Sequence, residues 1–521
     1  MIILVEIGTS SGTRYFANEG YTSRPSDTPA NQWYDNRLKV AGSIEQTLFG
    51  SGDTSDGSST SGIGNIKLLN GGAYGGAELI DDLLSVALNT ITIKSVDDSS
   101  RALSTATTWF VGTVDSLVST KALSEFDIVI HDRLTDLDQP LLTSTYAGTT
   151  TGTGLGVEGD ANMAGQVKQK VWGSKNNVPG VDVNSFDLIR LFSDGPIDSL
   201  VIKDGGIALD NQGDFPSIEA MLAATLVAGQ CCTCLDLGLG RLGGQPFAAV
   251  TGDVVEGATA ADRSCAQIAG RIMEWFADQY PDLAPEISAA SIAALDIKND
   301  AECGVFVNSN ETARSVFHRL LRSVGGWILP DNTSDTVFDI GRLDTDFGAS
   351  VAEFDLEDNL GGEVERIETG ENGNGVPAGR VIVKYDQLGV VQAGGELFGA
   401  VSASDRAYLG TEWRQTPAAE NATTISLYEG RAPTIIIETC LVNSEDAEAE
   451  AARQLAMRSE RRDCYRMRLT LDDAEPCEFG TATTLISEDG RLELESGKQF
   501  TPLGISINLD DLPTKTVSFW G

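Results

Sequence analysis

The 521-residue sequence predicts an α+β protein, mostly β, divided among several domains. Three observations predict it. The length exceeds what one core of roughly 100–200 residues occupies, so roughly three or four domains are expected. Short β-branched runs recur between breaks rich in Gly, Ser, Thr and Asp, the pattern of strands joined by turns. Helical periodicity is confined to a few segments near the middle and one near the C-terminus.

The runs Ile66–Leu69, Thr90–Ile93, Trp109–Val111 and Phe126–Ile130 predict strands. Residues 50–64 and 148–159 carry no apolar period and predict loops. Cys265, Ile268, Ala269, Ile272, Met273 and Phe276 share one face of a helix over 262–280, which Pro281 stops. A second helix is expected over 311–324. Asn308 and Glu311 resemble a capping box, and Gly325-Gly326 supplies the stop. Its inner face is Val316, Phe317, Leu320, Leu321 and Val324, with Arg314, Arg319 and Arg322 at the edges. Strands follow at 326–329 and 336–340, then at 380–385 and 434–439. A helix over 445–462 has acids early and arginines late, with Ser444 as N-cap. Strands close the chain at 465–471 and 517–520. No short-period repeat is present. The expected division is 1–150 β-rich, 151–260 β-rich, 261–350 α+β, and 351–521 β-rich with one helix.

Charge narrows the function. Asp plus Glu number 76 and Lys plus Arg 37, a net charge of −39. Duplex binding and adhesion to an anionic membrane both need clustered cations, and neither is expected. No apolar run approaches the roughly 20 residues of a membrane span. Met1-Ile2-Ile3-Leu4-Val5-Glu6 lacks a basic segment and a cleavage pattern, so no signal peptide is expected. Eight cysteines are spread along the chain, as expected for reduced thiols made in a cytoplasm. Only His131 and His318 are available for histidine chemistry.

Several motifs touch on chemistry. Gly238-Leu239-Gly240-Arg241-Leu242-Gly243 matches a dinucleotide fingerprint, but such a site needs a helix after it. Residues 246–250 read as a strand, so a glycine-rich hairpin is expected. Cys231, Cys232 and Cys234 form the densest thiol cluster. A zinc or iron–sulfur site would require a fourth ligand, with Cys265 or Cys303 as candidates; buried free cysteine is the plainer reading. Asp344-Thr345-Asp346-Phe347-Gly348 opens like a calcium loop but lacks glycine at the sixth position and has Asp355 at the twelfth. Glu353, Asp355, Glu357 and Asp358 offer paired carboxylates of the kind a glycosidase uses, and also the exposed acids that so acidic a chain must carry. No G-x-S-x-G elbow surrounds Ser116 or another serine. The expected catalytic, cofactor-binding and metal residues are therefore none.

Four groups of segments together resemble the tail-tip, or baseplate, hub proteins of phages with long non-contractile tails. The first is Tyr15-Phe16-Ala17, Tyr21, Pro25 to Asn31 and Tyr34. The second joins 126–130, Leu137 to Leu141, Tyr146 to Thr149, Glu158-Gly159, Lys170-Val171-Trp172-Gly173 and Val178. The third runs from Glu311-Thr312-Ala313 to Val324-Gly325-Gly326-Trp327. The fourth comprises Val381 to Tyr385, Arg406 to Leu409, Thr439, Asp446-Ala447, Ala451 to Arg453, Arg462 to Tyr465 and Phe519-Trp520-Gly521. The resemblance implies hub-type β-barrel or β-sandwich domains and a homotrimer. That trimer would join a sixfold tail tube and its distal tail protein to a threefold tip or central fibre, among other baseplate proteins. DNA would meet it only in transit through the ejection channel. The implied place is the virion, after synthesis in the host cytoplasm, with no catalytic residue and no cofactor. The alternatives are a tail-associated cell-wall hydrolase, another virion or secretion-tail structural protein, a secreted acidic β-sandwich adhesin, and a metalloprotein built on the cysteine cluster.

Overall fold

The computed structural model describes every residue except 50–57, 72–77, 121–123, 361–363, 368–376, 488–493 and 511–512. Strands hold 39% and helices 20% of the described residues, in several open sheets with no closed barrel, so the α+β, mostly β class holds.

The first sheet has nine strands, all from residues 2–130. Ile2–Thr9 pairs antiparallel with both Gly12–Ala17 and Leu88–Val96. Beyond these lie Thr107–Thr120, Glu125–Ile130, Ile66–Leu69 and Leu38–Val40. Alternation along Ile2–Thr9 sends Ile3, Val5 and Ile7 to one core and Ile2 and Leu4 to another, as a strand buried on both faces requires.

Two five-stranded sheets follow and face each other. One contains Lys170–Pro179, Ser199–Asp204, Val250–Val255 and Gly304–Val307. The other contains Val181–Asn184, Ile189–Leu191, Asp210–Asp214, Gln230–Cys234 and Leu239–Leu242. Val171, Val178, Ile202 and Val254 of the first meet Cys231 and Leu242 of the second around Phe192, the interdigitated layer of a β-sandwich. The outer face of the second sheet is covered by the short helix Ile218–Ala223 through Met221.

The central core is helical. Helices Cys265–Gln279 and Ala313–Arg322 bury the faces their periodicity predicts. They share one core with the parallel strands Arg380–Tyr385 and Thr434–Glu438 and with helix Ser444–Arg458. The hairpin Gly326–Pro330 and Val337–Arg342 packs on the same side.

The last sheet runs Ser350–Asp355, Ala482–Ile486, Lys498–Asn508, Thr514–Trp520, Cys464–Thr470 and Glu365–Ile367. It also takes a hairpin from the other end of the chain. Ser43–Thr47 pairs with Lys498–Asn508, and Thr60–Ile63 pairs with Ser43–Thr47.

Four local expectations need correction. Part of the predicted loop 50–64 is the strand Thr60–Ile63, while 50–57 lie outside the described residues. Its Thr-Ser-Gly-Ile sequence has little strand preference, and tertiary pairing decides it. Helix Ala289–Lys298 was not expected, because Leu295 is its only buried residue and leaves no apolar stripe; Ser288 at its cap and its alanines were the available signal. Helix Ala313–Arg322 is capped by Thr312, whose side chain accepts from the Ser315 amide at 3.2 Å. Glu311 pairs instead with Arg319 at 2.9 Å. Ser444 is the first residue of its helix with Asn443 at the cap, and the helix ends at Arg458, before Arg461 and Arg462.

Replacing Ile44, buried opposite Ile507, by alanine removes side-chain contacts at the seam between the chain ends. The expected cost is about 2–4 kcal/mol. Hydrogen exchange should lose protection in 43–47 and 498–508 together. Loss confined to 43–47 would show that the C-terminal sheet does not rely on the hairpin.

Candidate functional site

The glycine motif lies on a hairpin, as expected, not on a nucleotide loop. Gln230–Cys234 and Leu239–Leu242 pair antiparallel, and Gly238 turns between them at φ 61°. A Cβ on Gly238 would stand 2.0 Å from the Ser193 carbonyl oxygen, and one on Gly240 would stand 2.2 Å from Ile202 Cδ1 in the sandwich interior. Close packing accounts for both glycines. The following strand begins at Val250, later than residues 246–250 suggested.

The three clustered cysteines do not converge. Cys231 points into the sandwich, whereas Cys232 and Cys234 face the layer with Met221, because adjacent strand residues point to opposite faces. Cys265 and Cys303 lie in the helical core instead. Among the described residues no group of His, Cys, Asp or Glu has metal-binding geometry. Burial pushes the Cys231 thiol up to about 12 and the Cys232 thiol up to about 11.

The acidic candidates cap their own backbones. Asp355 accepts from the Glu357 amide at 3.0 Å, and Asp358 accepts from the Asp355 amide at 2.9 Å. Glu353 and Glu357 are exposed. Asp344 binds Arg342 at 2.9 Å, and Asp346 accepts from the Gly348 amide at 3.0 Å. His131 sits 2.5 Å from Asp136. The hydrogen bond to Asp136 raises its pKa against the opposing effect of partial burial. His318 is half-buried on helix Ala313–Arg322.

A polar network ties the middle of the chain to its C-terminal part. Glu450, 3% exposed, accepts from Arg453 Nε at 2.8 Å, Arg453 Nη2 at 2.6 Å and Gln454 Nε2 at 2.7 Å. Arg453 also donates to the carbonyl of Leu343 at 2.7 Å and of Val324 at 3.1 Å. Burial alone would lower the Arg453 pKa, but Glu450 and Asp344 hold it above the usual value. A second clamp is Arg133, which is buried and donates to the carbonyls of Asp331 and Val337 at 3.0 Å each.

Two cavities stand out. The larger, about 790 Å³, lies where the N-terminal sheet, the hairpin 326–342 and residues 471–480 meet. Trp109, Trp327 and Phe479 line it, with Asp97, Asp331, Asp339, Asp472 and Glu475. Burial, with Asp331 nearby, raises the Asp339 pKa. The smaller, about 590 Å³, is lined by Ile207, Leu209, Pro246, Phe247 and Phe398. Phe247 and Phe398 stack with centroids 4.4 Å apart. Neither cavity was foreseen, because their walls come from segments far apart in sequence.

Among solved structures, the chain is similar at low identity to phage tail proteins. A 43 kDa prophage tail protein from Shewanella oneidensis aligns over 100% of this chain and 98% of its own, with 12% identity and a TM-score of 0.41. A prophage tail protein from Listeria monocytogenes aligns over 99% and 94%, with 10% identity and a TM-score of 0.40. A chain of a native gene transfer agent virion aligns over 74% and 92%, with 16% identity and a TM-score of 0.40. The sequence matches no family model and no curated protein. Among the described residues no helix is long and apolar enough to cross a membrane.

Two measurements probe these environments. The eight thiols are buried, and a neutral buried thiol is a poor nucleophile. The folded chain should leave them unlabelled by iodoacetamide at pH 8, and guanidinium should expose all eight; rapid labelling of Cys232 in the folded state would contradict its burial. Replacing Arg453 by methionine strands Glu450, at an expected cost of about 3–5 kcal/mol. Urea melts should show Arg453→Met/Glu450→Leu recovering at least half of that. A double variant no more stable than the single would remove the ion pair as the cause.

Proposed function

We propose that the chain is a structural protein of a phage tail, and that within the tail it is a trimeric hub at the tip. It would join the sixfold tube and its distal tail protein to the tip or central fibre among other baseplate proteins. Its role is mechanical, without catalysis or cofactor, and DNA passes it only in transit.

The observation that supports this reading best is where three of the four resembling segment groups fall in the fold. Tyr15 lies on the strand Gly12–Ala17, and Pro25 to Asn31 form a turn leading to Tyr34. Tyr15, Tyr21 and Tyr34 then pack edge to face at 5.1 and 5.5 Å. Glu311 to Trp327 form a helix running into a strand. Val381 to Tyr385 and Asp446 to Arg453 occupy the parallel strand and the helix of the central core. This is the order of β-rich and helical parts that the resemblance implies. On it we divide the chain as 1–150, 151–260, 261–350 and 351–521, with the strands Ser43–Thr47 and Thr60–Ile63 reaching across to the last part.

The charge suits a channel. An acidic wall repels phosphates, so genomic DNA would pass without sticking. Three copies would carry three times −39, or −117, before counterions. Salt screens that repulsion, and assembly should therefore strengthen with ionic strength.

Light scattering on the purified chain tests the stoichiometry. The expected mass is three times 55.2 kDa, or 165.6 kDa, with the trimer favoured at high salt. A monomer at every salt and protein concentration would overturn the trimeric hub.

A further inference from the structure

His131 stands where the chain leaves the N-terminal sheet for the helical core. We propose that protonation of His131 tightens the joint between those two parts, so that the joint is firm in mild acid and looser above neutrality. The joint behaves so whether or not the chain belongs to a tail.

The joint is residues 131–141. Strand Glu125–Ile130 ends just before it, and the His131 amide still donates to the Thr113 carbonyl at 3.0 Å. A 3-10 turn follows over Arg133–Asp138. Leu134 and Leu137 of that turn are fully buried in the helical core. Arg133 donates to the carbonyls of Asp331, Ser334 and Val337 in the hairpin. The Ala313 amide, at the start of helix Ala313–Arg322, donates to the Gln139 carbonyl at 3.0 Å. Sheet, hairpin and helix are thus all attached to one short turn, with His131 at its mouth.

The contact between His131 and Asp136 closes this turn on itself. His131 Nε2 lies 2.5 Å from Asp136 Oδ1 and 3.4 Å from Thr135 Oγ1. The Thr135 hydroxyl donates its hydrogen to the Asp132 carbonyl at 2.5 Å, so both oxygens facing Nε2 can only accept. Nε2 therefore carries hydrogen in either charge state, and the nitrogen that titrates is Nδ1.

The charged surroundings favour the imidazolium. Asp136 and Asp132 act on it from its own turn and Asp115 from strand Thr107–Thr120. Two cations on neighbouring elements are committed elsewhere. Arg133 holds the hairpin carbonyls, with Asp331 and Asp335 of the hairpin acting on it. Arg314 of the helix lies 3.5 Å from Asp138 and donates to the Ser59 carbonyl at 3.2 Å. The hydrogen bond to Asp136 outweighs partial burial and holds the His131 pKa above its ordinary value. A histidine whose pKa is higher folded than unfolded stabilises the fold below its unfolded pKa, and that contribution fades as pH rises through the folded value. Deprotonation leaves the Nε2–H bond in place but removes its charge, and the charge-assisted bond is the stronger one.

The test uses the full-length chain. It has only two histidines, so with 15N-labelled histidine the His131→Gln variant identifies the His131 signals. The neutral form should be the Nε2–H tautomer, with a midpoint above that of the same chain unfolded in guanidinium. Hydrogen-exchange protection of 131–138 and 331–337 is then compared at about pH 6 and about pH 8.5. Acid relieves self-repulsion throughout a chain of −39, so the reading is the difference between wild type and variant. Over that range wild-type protection in both segments should fall about two- to fivefold further than in His131→Gln or Asp136→Asn. A His131 midpoint at or below the unfolded value would overturn the proposal, and the wild-type chain alone decides that point. So would an Nδ1–H tautomer, or protection that falls equally in wild type and variants. Loss confined to 131–138 would also overturn it, by showing a local pair that leaves the hairpin unaffected.

Discussion

The backbone groups of residues 504–508 are met by residues 43–47, from the opposite end of the chain. Gly504, Ile505, Ser506, Ile507 and Asn508 stand opposite Thr47, Gln46, Glu45, Ile44 and Ser43. The side chain of Asp510 reaches back to the Ala41 amide at 2.6 Å. This seam ties the N-terminal strands to the C-terminal sheet. A strand edge left open exposes unpaired N–H and C=O groups, and here the N-terminal hairpin covers it. Loop closure over such a separation costs little more than over a shorter one, because the entropic cost grows only with the logarithm of length. It does place the contact among those of highest sequence separation, which form slowly.

The seam also sets the walls of the larger cavity. Gln46, on the donated strand, donates to the Pro330 carbonyl at 2.8 Å and accepts from Asn332 at 2.9 Å. The Asn332 carbonyl in turn accepts from the Val111 amide at 2.7 Å. Arg133 holds the same turn from the other side and lies 4.9 Å from the Phe338 ring centre. N-terminal sheet, middle hairpin and C-terminal sheet thus meet at residues 330–338 through directional bonds, several of them buried. Such bonds fix relative position better than apolar contact alone, since a displaced partner is left unsatisfied at a cost of about 1–3 kcal/mol.

Legibility in the sequence followed the range of the interactions. Strands such as Ile66–Leu69 and Arg380–Tyr385 fell where β-branched runs predict them, and the helix faces of 265–279 and 313–322 where the 3.6-residue period does. These signals are local. Thr60–Ile63 became a strand only because Ser43–Thr47 lies beside it. Helix Ala289–Lys298 lies over Val337–Arg342 with little apolar surface of its own. The larger cavity has no local signal for the same reason: Trp109, Trp327 and Glu475 meet only after folding. Two patterns with chemical overtones answered to packing. The glycines at 238 and 240 allow a hairpin to press against Ser193 and Ile202. The cysteines at 231, 232 and 234 follow the alternation of a strand buried on both faces.

Charge distribution connects these features to function. Many of the cations are committed to local acids: Arg263 with Glu302, Arg271 with Glu256, Lys203 with Asp253, Arg14 with Asp82. Each such pair leaves the surface nearly neutral at that point, yet 76 acids against 37 cations leave the whole chain at −39. Surface ion pairs contribute only about 0–1 kcal/mol each, so stability does not explain the excess, which lowers it by self-repulsion. A function must make that cost tolerable. A surface past which polyanions move is one such function, because repulsion there prevents adhesion. One property of the sequence, the excess of carboxylates over cations, thus sets the sign of the field around the whole chain.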